Sequence, residues 1–413
     1  MKRKILSLLF LFFLFLIPLS SSDAGELSPG SLGSLLQDLK SPDYQKAWKA
    51  AEELGRFPRS KSQIVPALIE ALHEEWEHCS GDIRGVLAES LAQMKAKEAV
   101  FPLLDLLKSG KNIDHECAEC GCCFLPLTPQ DELAERFFDP FCENSVLAAI
   151  HQLADFSHSK AMADLIAQGS RWRPELLITL GKVGLPRYAH FISRYKDDQK
   201  AEVRIAVAQA LGMMDNDAIT IPVLLQLLSR RDEEFSVRWA ADQSLIQIGK
   251  RKGNPRLKQQ LAGLLKGEDK MTVALAARAL AHLGEGKGLL KLRDFTKDAE
   301  AKLRFEAMMY LGEVGDVKSR DLFLRGTRDE NLMVRAAAIH ALGKIGDPSS
   351  IPRLQQACDE ALRYESVLDG KLKAGTSEKA LREQYGYRVY DLRETLQQAL
   401  EGLQTKASPT KKN

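Results

Sequence analysis

The chain has 413 residues, with 58 Lys and Arg against 56 Asp and Glu, a formal charge of +2, and 45% apolar residues. This balance excludes a strongly basic nucleic-acid binder and an acidic disordered chain. Aromatics are only 7%, so the core must be aliphatic and built from small residues. Residues 1–24 are predicted to be a secretory signal peptide. Lys2, Arg3 and Lys4 precede an apolar run from Ile5 to Ile17, and Ser22-Asp23-Ala24 offers small residues before a cleavage point. A transmembrane span needs about 20 apolar residues, more than this run has. The expected address is therefore exported, periplasmic or secreted, with no transmembrane span.

From residue 31 the sequence repeats itself. Val203-Arg204-Ile205-Ala206-Val207-Ala208-Gln209-Ala210-Leu211-Gly212 matches Val334-Arg335-Ala336-Ala337-Ala338-Ile339-His340-Ala341-Leu342-Gly343. Val237-Arg238 and Leu303-Arg304 open two further copies. Apolar residues at 203, 206, 207, 210 and 211 make the stripe of an amphipathic helix. The Gly that closes a copy suits a helix C-cap, where positive φ is needed. The same position recurs at Gly55, Ala92, Ala154, Gly181, Gly212, Ile246, Gly284, Gly312 and Gly343. A second helix follows each marker. Four of these open with an apolar residue and proline, at Val65-Pro66, Phe101-Pro102, Ile221-Pro222 and Ile351-Pro352, which places proline in a first turn. Asp316 and Asp347 are placed to cap such helices. No alternating strand pattern is present, so the predicted unit is helix–turn–helix.

The step from Ala92 to Ala154 is long enough for an insertion, placed at residues 110–142. It holds His115, Cys117, Cys120, Cys122, Cys123 and Cys142. Three readings compete. In an oxidising compartment clustered cysteines form disulfides, with Cys79 available as a sixth, and this reading is preferred. The Cys117-x-x-Cys120 knuckle with Cys122 or Cys123 and with His115 or Cys142 can instead make a tetrahedral zinc site, although the second half of the motif is compressed. A redox role is the third. Otherwise no cofactor is expected. His73 and His78 are five apart and diverge by about 140° on a helix, so they do not form a zinc-protease pair.

Residues 362–404, with Tyr364, Tyr385, Tyr387 and Tyr390, break the repeat and are predicted to be a helical cap on the solenoid. Residues 405–413 are predicted to be a disordered tail.

Helix pairs with V-R near the start, A-L-G near the end and an I-P opening to the second helix resemble the HEAT-repeat family. The G-D turns at Gly315-Asp316 and Gly346-Asp347 are most similar to its bacterial branch, first described in phycobilisome lyases. The resemblance spans residues 31–361. It implies an all-α, armadillo-type solenoid of about nine helix pairs, with second helices lining a concave face. One enzyme built on such repeats, deoxyhypusine hydroxylase, holds di-iron through His-Glu pairs directly after the repeated Arg. Here Arg204, Arg238, Arg304 and Arg335 are followed by Ile205, Trp239, Phe305 and Ala336, which argues against that activity. The repeated arginines are expected to bridge to an acid of the next unit or to cap carbonyls.

Charge is unevenly spread, with 21 acids and 12 bases in residues 25–150 but 16 acids and 21 bases in residues 229–330. No nucleophile elbow, phosphate loop or dinucleotide fingerprint is present, so no catalytic residue is assigned. The expected function is an exported, non-catalytic scaffold that binds a protein or peptide along its concave face, with no nucleic-acid partner. The alternative is a metal-binding or redox-active protein whose chemistry lies in residues 115–142.

Overall fold

The computed structural model describes residues 28–74, 76, 80–109, 144–356 and 359. The predicted signal peptide, the whole insertion with its six candidate ligands, the predicted C-terminal cap and tail, Cys79, His78 and Cys358 lie outside the described residues. Among the described residues all regular structure is helical, and the fold class is the all-α solenoid that the repeats imply. The chain divides into two units, one ending at Ala210 and the other beginning at Leu211.

The first unit contains α1 (Pro29–Leu39), α2 (Tyr44–Leu54), α3 (Lys61–Leu72), α4 (Ser80–Gln93), α5 (Val100–Ser109), α6 (Ser145–Leu153), α7 (Ser159–Ala167), α8 (Arg173–Val183) and α9 (Tyr188–Ser193). Helix α10 (Ala201–Met213) carries the boundary. The second unit continues with α11 (Asp217–Ser229), α12 (Phe235–Lys252), α13 (Pro255–Leu264), α14 (Lys270–His282), α15 (Gly286–Phe295), α16 (Ala301–Glu313), α17 (Arg320–Gly326) and α18 (Leu332–Ile345). No helix among the described residues is long and apolar enough to cross a membrane.

Helix starts are set by short polar side chains. Asp43, Asn144, Asp269 and Asn331 each accept backbone N–H groups of the first turn they precede. The two helices of a pair have different burial. Helix α14, a first helix, is buried from Thr272 to Ala281 without interruption. The second helices bury one stripe, Leu257 and Leu261 in α13 and Gly288, Leu292 and Phe295 in α15. A first helix is thus enclosed between its partner and the first helices on either side, which explains its Ala-rich sequence.

Two local expectations are corrected. The marker glycine ends its helix at Gly284, with φ +79° just past α14, but is not a C-cap in several other copies. Gly181, Gly212 and Gly312 lie inside their helices, where the next unit's first helix approaches most closely. A Cβ on Gly181 would sit 2.5 Å from the Cα of Ala210, one on Gly212 2.6 Å from the Cβ of Ser244, and one on Gly312 2.8 Å from the Cβ of Ala341. Positive φ occurs instead at Gly184, Gly315 and Gly346, three residues later in each unit. Pro102 and Pro352 lie in a first turn as expected, but the prolines of two other second helices sit deeper. Pro66 and Pro222 lie inside α3 and α11, because those helices begin before the apolar-Pro pair. Asp347 caps as expected, accepting from the Ser349 N–H. Asp316 is taken by Arg293 and Ser319 instead.

Candidate functional site

The repeated Arg of the first helices has a shared task. In the first unit Arg204 donates to the carbonyls of Asp198 and Gln199, closing the turn before its own helix. In the second unit Arg238 donates to the Leu228 carbonyl at 3.0 Å and reaches forward to Asp269 at 2.6 Å and to the Thr272 hydroxyl at 2.7 Å. Arg304 takes the carbonyls of Asp298 and Ala299, each at 3.0 Å, and both carboxylate oxygens of Asp329 at 2.9 and 2.8 Å. Arg335 donates to the Asp329 carbonyl. Both expected roles, carbonyl capping and a bridge to the next unit's acid, are present. These guanidiniums are spent on packing one repeat against the next.

A second, denser network joins α12, α14 and α16. The Trp239 and Tyr310 rings stack at 5.9 Å, and the Arg278 guanidinium lies against both, 4.1 Å from the Trp239 centroid and 5.3 Å from that of Tyr310. Its Nη1 donates to Asp242, and its Nε donates to Glu313 at 2.8 Å. His282 stands 3.5 Å from the same Glu313 oxygen. Asp242 and Tyr310 have no exposed surface and Arg278 has only 3%.

Burial sets the electrostatics. It pushes the Asp242 carboxyl up to about 6, against the opposing pull of Arg278. Burial also works to raise Glu313, but the His282 bond and the Arg278 charge outweigh it and hold that carboxyl below the usual range. Burial alone would lower Arg278, yet the charges of Asp242 and Glu313 keep it above its ordinary value. Burial, followed by the nearby Lys344, depresses His340 on α18. Asp242, Arg278 and Tyr310 form a closed lock between repeats, while Glu313 and His282 at its edge reach solvent.

These ion pairs consume most acids of the second unit and leave cations on the surface. Arg256, Lys266, Lys287, Lys297, Lys318, Arg325 and Arg328 are exposed and make no ion pair. Six of them fall in two rows with a 31-residue step: Arg256, Lys287 and Lys318 at the starts of second helices, and Lys266, Lys297 and Arg328 in the turns that follow.

None of His115, Cys117, Cys120, Cys122, Cys123 and Cys142 falls within the described residues, so the structure neither brings these six together nor separates them. Among the described residues no group of three or more His, Cys, Asp or Glu side chains is placed to hold a metal. The positions after the repeated Arg are Ile205-Ala206, Trp239-Ala240, Phe305-Glu306 and Ala336-Ala337. These residues do not fit a His-Glu iron site. Sequence reasoning did not anticipate the Trp239–Arg278–Tyr310 stack, whose three members occupy unequal positions of their repeats.

The family model for HEAT repeats matches residues 188–281 and 287–365. Among curated proteins, the chain is 26% identical over 214 residues to deoxyhypusine hydroxylase of Drosophila melanogaster, covering 46% of this chain and 70% of that protein. It is 28% identical over 204 residues to deoxyhypusine hydroxylase of Bos taurus, covering 44% and 67%. Among solved structures it is similar to human deoxyhypusine hydroxylase in complex with glycerol, at 17% identity and a TM-score of 0.26, covering 91% of this chain and 96% of that one.

These relatives correct the functional expectation drawn from the sequence. The curated proteins that this chain resembles are named as an enzyme, so the reading of an exported, non-catalytic, concave-face scaffold does not stand. That expectation leaned on missing motifs, the His-Glu pairs among them, which speak against particular ligand sets and not against catalysis as such.

Proposed function

We propose that this chain, whose residues 188–281 and 287–365 are HEAT repeats, uses them to hold a polypeptide, as partner or as substrate, against the cationic surface of residues 256–328. The observation that carries this reading is the division of labour among its charges. The first-helix arginines Arg238 and Arg304 and their acids are engaged in repeat packing, whereas Arg256, Lys266, Lys287, Lys297, Lys318, Arg325 and Arg328, in the second helices and turns, are exposed with no ion pair among the described residues. A surface of one sign attracts and orients a partner of the other.

The sequence kinship with deoxyhypusine hydroxylase supports a repeat array that works on a specific molecule. Its iron chemistry is not carried over, because the positions after Arg204, Arg238, Arg304 and Arg335 lack the ligand pairs. The reading concerns binding and applies equally to a partner and to a substrate.

The test is photo-cross-linking with the full chain. A benzophenone side chain at position 290, exposed on α15 one turn from Lys287, is expected to capture a polypeptide. The same group at Gln247, exposed on the first helix α12, is expected to capture none. Equal labelling from both positions, or labelling from neither, would overturn the reading.

A further inference from the structure

The second unit repeats with a strict register. Gly253, Gly284, Gly315 and Gly346 are spaced by 31 residues and all adopt positive φ, at 58°, 79°, 67° and 71°. Positions on this register are therefore equivalent in space as well as in sequence. Arg256, Lys287 and Lys318 each precede a buried residue, Leu257 in α13, Gly288 in α15 and Ser319 in the 3-10 turn (Val317–Ser319) that leads into α17. The three cations are exposed and make no ion pair.

Successive second helices are neighbours. Lys258 on α13 reaches Glu285 at the start of α15 at 2.9 Å, and Arg293 on α15 holds Asp316 before α17 at 2.7 Å. Packed helices lie roughly 8–10 Å apart, so the row presents a positive charge at about that interval. A polyproline-II strand has three residues per turn and advances about 3.1 Å per residue. Every third residue of such an extended peptide thus lies on one face, about 9 Å from the last, and meets the next cation. Apolar contact is available beside the row, since Leu290 is 61% exposed one turn from Lys287 and Val317 is 64% exposed next to Lys318. The nearby acids are mostly committed: Glu285 to Lys258, Asp321 to Arg320, Asp298 to Lys270 and Glu330 to Arg304. Asp294 and Glu300 are the exposed carboxylates between residues 250 and 330 with no cationic partner.

We infer that the row Arg256, Lys287 and Lys318 binds an extended acidic polypeptide whose carboxylates recur at every third residue, running across the second helices. The inference rests on the polypeptide-binding reading and supplies its chemistry. The second row, Lys266, Lys297 and Arg328, lies about ten residues further on, roughly 15 Å along a helix, too far to share one strand's carboxylates.

The experiment uses the full chain and fluorescein-labelled peptides. One carries Glu at every third position in a Gly-Ser background; a second has the same composition with its Glu residues in one block. The spaced peptide is expected to bind more tightly and to weaken as salt rises from about 50 to about 300 mM. Lys287→Glu with Lys318→Glu, two exposed positions whose effect on folding is checked by thermal melting, is expected to weaken it by about tenfold or more. Lys266→Glu with Lys297→Glu is expected to change it by less than about threefold. Equal binding of the two peptides, or indifference to Lys287→Glu with Lys318→Glu, overturns the inference. If those reversals leave cross-linking from position 290 intact, the acidic-strand inference falls while polypeptide binding stands. If cross-linking also fails in the unaltered row, both fall. If sedimentation shows that the reversals dissolve a self-assembly while the spaced peptide does not bind, the occupant is a second copy, and the inference is overturned.

Discussion

The guanidinium of Arg278 lies 4.1 Å from the centre of the Trp239 ring and pairs at its edge with Asp242, three residues after that tryptophan on the same helix. One side chain of α14 is therefore held by both a ring and a carboxylate of α12. It also lies 5.3 Å from the centre of the Tyr310 ring of α16, which stacks on Trp239 at 5.9 Å. Three successive first helices share one cation, which fixes their register as pure Ala and Leu packing would not.

Removing that cation is expected to cost more than removing the pair. Arg278→Ala leaves the Asp242 carboxylate, with no exposed surface, without its counter-charge. Breaking a buried pair from one side costs about 3–5 kcal/mol, whereas exchanging both partners for apolar residues is often near neutral. Urea unfolding should therefore place Arg278→Met with Asp242→Leu close to the unaltered chain and well above Arg278→Ala. If the single and double variants lose the same stability, the carboxylate is not buried as described.

The same carboxylate gives a pH signature with a definite sign. Burial raises Asp242 to about 6 in the folded chain, above the ordinary aspartate value. A carboxyl with a raised folded value contributes stability that is complete below the unfolded value and lost as pH climbs through the folded one. Stability relative to Asp242→Asn should therefore fall between about pH 4 and pH 6 and level off above about pH 7. Groups with lowered values, among them Glu313, act in the opposite sense, which is why the difference from Asp242→Asn is the quantity to measure. A difference that grows with pH across this window would mean that Arg278 dominates burial.

Two glycines of neighbouring repeats should respond differently to alanine. At Gly312 a Cβ would stand 2.8 Å from the Cβ and 2.9 Å from the Cα of Ala341, so Gly312→Ala forces neighbouring helices apart and should cost about 1–3 kcal/mol. At Gly284 no atom lies within 4 Å, but φ is +79°, and alanine there should cost about 1–2 kcal/mol from the backbone alone. Ala341→Gly should restore stability to the Gly312 variant and give nothing to the Gly284 variant. Asn, which tolerates the left-handed conformation, should be milder than Ala at position 284. Melting midpoints that fail to separate the two classes would remove the distinction between notch and cap.

These glycines also show what the sequence could carry. Helix pairs were legible because a 3.6-residue stripe recurs at a fixed period, and Arg204, Arg238, Arg304 and Arg335 were legible because one position repeats one residue. The role of Gly312 was not, since a closing Gly reads alike as a cap and as a contact point until the next helix is in place. Trp239, Asp242, Arg278 and Tyr310 do not repeat at all, and no periodic signal pointed to them. The six cysteine and histidine candidates of residues 115–142 stand outside the described residues. The functional expectation failed for a different reason: it inferred the lack of an activity from the lack of familiar motifs, the His-Glu pairs among them, and from the predicted address.

Arg304 offers the sharpest contrast between charge and shape. It spans two carbonyls and both oxygens of Asp329 with bonds of 2.8–3.0 Å, a set that a planar fork of five donors can meet and a single ammonium cannot. Arg304→Lys keeps the charge but should cost about 1–2 kcal/mol of stability, read from urea unfolding, as charge-assisted bonds are lost. Burial tends to raise Asp329, yet the Arg304 bonds outweigh it and hold that carboxyl below its ordinary value. Its contribution is therefore present above the unfolded carboxylate value and lost as pH falls through the lower folded one. In Arg304→Lys that loss should begin at a higher pH, which moves the acid-unfolding midpoint upward. If Arg304→Lys matches the unaltered chain in both urea and acid, the repeated arginine acts by charge alone and its forked geometry contributes nothing.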